Sequence, residues 1–135
     1  MGILIDASVF LAAERGRLSL ARRLAGQEDE PVALSALTAC ELLCGVDRAA
    51  DPQRRARRAR FVRAILERFP VVAFDLDAAR VYARLCSELA ARGETVATHV
   101  LLIGSTAIAS DFQVATADPR DYQRIPGLQV QVWTG

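Results

Sequence analysis

The stretch Met1-Gly2-Ile3-Leu4-Ile5-Asp6-Ala7-Ser8 carries a short apolar run that ends at an acid. An apolar run of this length predicts a short buried strand, here Gly2–Asp6. The triplet Asp6-Ala7-Ser8 then offers polar side chains able to cap a helix, predicted at Val9–Arg15. A buried strand followed by a polar cap and a helix recurs along the chain, and this recurrence decides the fold class.

Strands and helices are predicted to alternate over the rest of the chain. The further strands are predicted at Pro31–Leu34, Val71–Phe74, Phe112–Thr116 and Gln129–Trp133. The further helices are predicted at Ser19–Ala25, Ala36–Val46 (capped by Ser35), Pro52–Arg68, Ala78–Arg92 (capped by Asp75 or Asp77) and Val100–Ser110. Such alternation predicts an α/β fold: a three-layer α/β/α sandwich around a parallel sheet of four to five short strands. Residues 1–135 are interpreted as a single domain.

Composition excludes several classes of protein. The 135 residues are 52% hydrophobic with a net charge of +1, which suits one domain that buries its own core. No apolar run reaches the roughly 18–20 residues of a membrane span, and no basic segment opens a signal peptide. The three cysteines, Cys40, Cys44 and Cys86, are expected to be small buried groups in a reducing compartment. We therefore expect a cytoplasmic protein with no membrane partner.

Basic residues are concentrated in one predicted helix. All 17 are arginine, and seven of them lie between Arg54 and Arg68. Five fall within Arg54-Arg55-Ala56-Arg57-Arg58-Ala59-Arg60. Three interpretations stay open: a solvated helix face, a contact surface for an RNA backbone, or a surface that pairs with acidic residues of a protein partner.

Three acids stand at positions that a solvated surface does not explain. Asp6 ends the first strand and Asp118 follows Phe112–Thr116, so both are expected at the carboxyl edge of the sheet, where such folds bind ligands. Glu41 lies within the apolar helix Ala36–Val46, which offers it no evident solvated face. Each acid also has a structural alternative: a helix cap for Asp6, an arginine partner for Glu41, and an Asp-Pro turn for Asp118.

Together, these acids predict a divalent cation. We expect their carboxylate oxygens to lie within a few ångströms of a common point, where they raise one another's pKa unless a cation neutralises them. Hard oxygen ligands in a chain with one histidine suit Mg²⁺, or Mn²⁺, rather than zinc. Because carboxylate-held magnesium commonly recruits phosphate oxygens, the chemistry indicated is phosphodiester hydrolysis.

The chain resembles the PIN-domain family, and within it the VapC-type toxins of type II toxin–antitoxin systems. The stretches that carry the resemblance are Leu4–Ser8, Leu37–Val46, Leu102–Ala107, Ala115–Tyr122 and the tail Arg124–Leu128. The resemblance covers essentially the whole chain. It implies a metal-dependent ribonuclease that cuts RNA, is often a homodimer, and is inhibited by a cognate VapB-type antitoxin. A symmetric dimer is also expected from two helices that are apolar nearly all round, Ala36–Val46 and Val100–Ser110.

The resemblance also assigns residues to roles. The acids matched as catalytic residues and metal ligands are Asp6, Glu41 and Asp118. The accessory polar positions are Ser8, Thr116 and Asp121.

One position departs from the family pattern. A further acid normally precedes the helix with Leu-Leu-Ile-Gly-Ser-Thr-Ala, and Val100 stands there in this chain. Valine cannot bind a metal ion or orient water, so we expect weak metal binding and slow or absent cleavage. The neighbouring His99 is interpreted as an ordinary residue at a helix start. The alternative function is therefore a catalytically impaired PIN domain that binds an antitoxin or RNA.

Other chemistries fit the sequence less well. Asp75-Leu76-Asp77 after a strand resembles the Asp-x-Asp of haloacid-dehalogenase phosphatases, but helix capping explains these acids. The eight glycines never form Gly-x-Gly-x-x-Gly, and three cysteines with one histidine lack the spacing of a zinc site.

Overall fold

Five strands form one sheet in which every pair is parallel. This computed structural model describes residues 1–135. Its strands are β1 (Gly2–Ile5), β2 (Val32–Ser35), β3 (Val71–Val72), β4 (Phe112–Thr116) and β5 (Val130–Val132). Their order across the sheet is β3-β2-β1-β4-β5, so β1 is central and pairs with strands on both sides. The carboxyl ends of all five strands therefore lie at one edge.

Six α-helices and one short 3₁₀ turn connect the strands. They are α1 (Ala7–Glu14), α2 (Leu20–Leu24), α3 (Ala36–Arg48), α4 (Pro52–Arg68), α5 (Leu76–Ala91), α6 (Thr98–Ala109) and the 3₁₀ turn Tyr122–Arg124. Five of the six helices have a polar side chain that accepts a backbone N–H at the N-cap: Asp6, Ser19, Ser35, Asp51 and Asp75. These caps satisfy donors that would otherwise be unpaired at the helix starts.

The helices cover both faces of the sheet. Ile3 and Ile5 of β1 pack into a core with α1, α3 and α4, whereas the intervening Leu4 packs on the other side with α5 and α6. This alternation follows from the two-residue period of a strand. The predicted three-layer α/β/α sandwich is confirmed.

Element boundaries differ from the predictions by a few residues, each for a local reason. Helix α1 begins at Ala7, because the Asp6 carboxylate itself caps it. Helix α5 begins at Leu76, since Asp75 provides its cap. Strand β3 ends at Val72 rather than Phe74, because as an edge strand it pairs only with β2, through two residues.

One expectation about burial is wrong: all three cysteines are exposed rather than buried. Helix α3 therefore has an apolar side that the rest of the chain leaves uncovered, with Cys40, Cys44 and Leu43 (48% exposed) on it. Helix α6, in contrast, has seven of its twelve residues buried. None of the helices combines the length and apolar composition needed to cross a membrane.

A close approach at Gly104 seats the 3₁₀ turn against α6. A Cβ atom at Gly104 would lie 2.7 Å from Cδ1 of Ile125, which is itself only 3% exposed. At Gly45, within α3, a Cβ atom would meet only the Arg58 side chain, at 3.6 Å. The two helical glycines therefore offer the same substitution in a tight and in an open setting.

Gly45→Ala should raise the free energy of unfolding by about 0.5–1 kcal/mol, the usual gain when alanine replaces glycine inside a helix. The free energy of unfolding of Gly104→Ala should be lower than that of Gly45→Ala by about 1–3 kcal/mol, because the added methyl group overpacks against Ile125. Urea unfolding followed by circular dichroism compares the two variants with the parent chain. Equal gains at both positions would show that the Gly104 contact relaxes without cost.

Candidate active site

Asp6 lies at the centre of the carboxyl edge, where β1 gives way to α1. Its backbone N–H donates to the Ala115 carbonyl of β4 at 2.9 Å. Its side chain caps α1 by accepting from the Ser8 N–H at 3.3 Å, and the residue is only 8% exposed. The structural alternative for Asp6, a helix cap, is therefore observed.

Two hydroxyl groups hold one oxygen of this carboxylate. Ser8 Oγ donates to Asp6 Oδ2 at 2.6 Å, and Thr116 Oγ1 donates to the same atom at 3.0 Å. Each hydroxyl in turn accepts a backbone N–H from the loop after β4, Ser8 from Ala117 and Thr116 from Asp118, both at 3.0 Å. Chains of hydrogen bonds of this kind polarise one another, so the two predicted accessory side chains fix the position of Asp6.

The other oxygen of Asp6 is held by a residue that sequence reasoning missed. Tyr122 donates its hydroxyl to Asp6 Oδ1 at 2.8 Å, and the tyrosine is 2% exposed. Burial, followed by the negative charge of Asp6, raises the pKa of this hydroxyl well above its ordinary value, so it remains a donor. Tyr122 ends the stretch Ala115–Tyr122 that carries the family resemblance, but nothing in its spacing assigned it a contact with Asp6.

Glu41 lies close enough to Asp6 for the two charges to interact. Burial on its inner side and the charge of Asp6 raise the pKa of the Glu41 carboxyl, and His99 offsets part of this rise. The residue as a whole is nevertheless exposed, so the expectation that it lacks a solvated face is wrong. It makes no ion pair with an arginine, which was its structural alternative.

The carboxylate of Asp118 is engaged by an arginine rather than by the other two acids. Both of its oxygens accept from Arg120, at 3.0 and 3.1 Å, and its side chain is 58% exposed. The hydrogen-bonded guanidinium lowers the pKa of Asp118. The predicted convergence of three carboxylates is therefore not observed: no three acidic, histidine or cysteine side chains form a group that could hold a metal ion.

The last accessory candidate, Asp121, supports the start of α6. Its Oδ2 accepts the Ala97 N–H at 3.1 Å, and its Oδ1 accepts from Arg124 at 3.4 Å. Val100, where an acid was expected, is 8% exposed and belongs to the core shared with α5. The neighbouring His99 is exposed, and its effect on the site is to lower the pKa of the Glu41 carboxyl.

The donor chemistry of the site fits a hard divalent cation at Asp6 and Glu41. The charge of Asp6 contributes to the raised pKa of Glu41, and neither carboxylate has a basic partner within ion-pair distance. Oxygen-only ligands of this kind suit Mg²⁺ or Mn²⁺. Asp118 adds a third carboxylate only if it exchanges Arg120 for the cation.

Comparison with known proteins places this geometry in a family. The PIN domain family matches residues 3–128. Ribonuclease VapC of Rickettsia bellii is 32% identical over 130 residues, covering 96% of this chain and 95% of the relative. Ribonuclease VapC5 of Mycobacterium tuberculosis is 36% identical, covering 91% of this chain and 87% of the relative.

Solved structures show the same fold. VapBC2 of Rickettsia felis, bound to a DNA fragment from its promoter, aligns with a TM-score of 0.87 at 23% identity, covering 98% of this chain and 99% of the other. VapBC-5 of Mycobacterium tuberculosis aligns with a TM-score of 0.75 at 30% identity, covering 99% and 98%. The chain therefore belongs to the PIN-domain family, in which its relatives are VapC ribonucleases.

Proposed function

We propose that this chain is a magnesium-dependent endoribonuclease toxin of the VapC type. The observation that carries the proposal is the Asp6 carboxylate, held at both oxygens by the hydroxyls of Ser8, Thr116 and Tyr122, with Glu41 beside it. A carboxylate that is fixed in place but has no cationic partner is well prepared to bind a metal ion. Relatives that are 32% and 33% identical over 96% of the chain are named ribonucleases, which supports the same chemistry here.

Magnesium would be held by Asp6 and Glu41, and manganese would suit the same oxygens. When bound, such an ion polarises a phosphoryl oxygen and makes water more acidic. The chain's own contribution is positioning: the three hydroxyls prevent the Asp6 carboxylate from rotating. The raised pKa of Glu41 strengthens its hold on a proton, so proton and cation compete for this carboxylate.

The proposed partners are RNA and a VapB-type antitoxin. One relative, from Salmonella typhimurium, is named a tRNA(fMet)-specific endonuclease, and it is 28% identical over 74% of this chain. Several structural neighbours are VapBC complexes, some of them bound to DNA. We propose that the protein acts in the cytoplasm, since free cysteines such as its three are typical of a reducing compartment.

An apolar groove supports the proposal of a protein partner. It lies between α3 and α4 and has a volume of about 360 Å³. Its apolar lining residues are Leu43, Val46, Ala59, Val62 and Leu66, and Arg63 and Glu67 complete the lining. Apolar side chains of an antitoxin segment would fill it, as helix-in-groove recognition requires. A homodimer remains part of the proposal, although seven of the twelve residues of α6 are buried within the chain and leave that helix little surface for it.

The alternative, a PIN domain that binds without cutting, depends on Val100. The absence of one acid leaves the hydrogen-bonded carboxylate of Asp6 and the charge of Glu41 available to a cation, so we propose slow cleavage rather than none.

Magnesium dependence tests the main proposal. The parent chain should cleave single-stranded RNA slowly with Mg²⁺ and not at all with EDTA. Asp6→Asn should lower the rate by at least about a hundredfold, since it removes charge where the cation binds. Asp77→Asn, an exposed acid on α5, is the matched control and should cleave like the parent. Cleavage that persists in EDTA, or in Asp6→Asn, would refute the proposal.

Tyr122→Phe tests whether the tyrosine positions Asp6. Removing the hydroxyl should weaken Mn²⁺ binding and cleavage together by about 10–100-fold, the usual cost of losing a residue that orients a ligand. Calorimetric titration with Mn²⁺ measures the affinity. Tyr82→Phe removes a hydroxyl from the partly buried Tyr82 of α5 and should change neither quantity. Equal effects in the two variants would leave Tyr122 with a structural role only.

The Val100→Asp variant tests whether the missing acid is what slows cleavage. An acid at this buried position should lower the free energy of unfolding in EDTA by about 1–3 kcal/mol, because it replaces an apolar core residue. Mg²⁺ should restore part of that stability, since a bound ligand stabilises the folded state, and should raise cleavage. Val100→Asn is the uncharged control and should lose stability without any rescue. If Mg²⁺ affects both variants alike, the restored acid does not reach the metal.

A further inference from the structure

A pocket beside α1, α3 and α4 is lined mainly by arginine. Five arginines face it, and we call it the arginine pocket: Arg15, Arg48, Arg54, Arg57 and Arg58. Its volume is about 700 Å³, and its only apolar lining residues are Ala49 and Ala50. Three of these arginines, Arg54, Arg57 and Arg58, belong to the arginine-rich run Arg54–Arg60. The sequence alone left three interpretations of that run open.

Most of the positive charge in the pocket has no partner. Glu14 pairs with Arg58 at 3.0 Å, and Asp51 is engaged in capping α4 through the Gln53 N–H at 3.1 Å. The other four arginines have no carboxylate within ion-pair distance. Guanidinium groups gathered in this way repel one another, so the pocket favours an anion that several of them can share.

The helices that form the pocket are tied to one another. Arg55 donates through Nε to the Ala49 carbonyl at 3.1 Å, which ties the start of α4 to the end of α3. Arg54, Arg57 and Arg58 lie three and four residues apart on α4 and therefore share one face of that helix. The ion pair between Arg58 and Glu14 links this face of α4 to α1.

The arginine pocket is a neighbour of the cavity that contains Glu41. Arg48 lines both the arginine pocket and this smaller cavity of about 280 Å³, whose other lining residues include Glu41 and Ala7. Glu41 and Arg48 are seven residues apart on α3, which is roughly 10 Å along the helix axis. A distance of this size is within the reach of a few nucleotides of a single strand.

We propose that the arginine pocket is a subsite for the sugar–phosphate backbone of the RNA strand, to one side of the bond that is cut. This proposal rests on the proposed function. Arginine forks match phosphate oxygens. The pocket has no aromatic lining residue on which a base could stack, so it should grip the backbone without reading sequence.

An acidic segment of a protein partner fits this pocket less well. Protein partners gain most of their affinity from apolar and aromatic anchors in well-packed recesses. The chain offers such a recess elsewhere, in the apolar groove lined by Leu43, Val62 and Leu66. The arginine pocket, with two alanines as its apolar lining, is suited to charge alone.

The test measures binding of polyuridylate in EDTA, so that cleavage does not consume the probe. Arg54→Gln/Arg57→Gln removes two unpaired arginines of the pocket. Arg80→Gln/Arg92→Gln removes the same charge at exposed positions on and just after α5, on the opposite face of the sheet. The pocket variant should bind about tenfold more weakly, and its slope of log affinity against log salt should fall by about 1.4, the value for two lost contacts to a single strand. The control should bind like the parent.

Three outcomes would overturn the subsite. Equal losses in both double variants would mean that only net charge matters. Binding of polyglutamate but not of polyuridylate would assign the pocket to an acidic protein segment. Unchanged binding in the pocket variant, alongside magnesium-dependent cleavage by the parent, would refute the subsite and leave the proposed function intact.

Conversely, pocket-dependent binding without any cleavage by the parent would support the subsite and refute the nuclease. Urea unfolding checks that both variants are folded.

Discussion

A buried carboxylate without a cationic partner is the constraint on which the rest of the site depends. Asp6 is 8% exposed and makes no ion pair, so hydrogen bonds must compensate for the water it loses. Three hydroxyls do this, from α1 (Ser8), from β4 (Thr116) and from the 3₁₀ turn (Tyr122). Three separate elements are thereby brought to one point at the end of the central strand.

The parts of the fold and site that the sequence predicted are those with local causes. Alternating strands and helices indicated the parallel sheet, and Asp6 and Ser35 are caps whose contacts lie within three residues. The contact between Tyr122 and Asp6, in contrast, joins residues 116 positions apart. It depends on β4 lying beside β1 and on where the following turn packs, which no spacing along the chain reveals.

The surroundings of Glu41 and Asp118 show where pattern reasoning stops. The apolar residues of α3 include Cys40 and Cys44, which are exposed on the side that also carries Glu41. Periodicity identifies an apolar face but not which apolar residues the neighbouring elements cover. For Asp118, the decisive partner is Arg120, two residues away. An Asp-Pro pair predicts a turn at this point, but it does not predict which side chain the carboxylate contacts.

The order of the strands has a consequence for how the molecule is made. Asp6 directly follows the first strand, whereas Thr116 and Tyr122 lie near the end of the chain, so the hydroxyl-held carboxylate joins segments more than a hundred residues apart. Such distant pairings are slow to form, because a long loop must close first. During synthesis, a ribosome therefore carries only an incomplete site until Tyr122 has emerged, and a partly made chain cannot position Asp6 as the finished protein does.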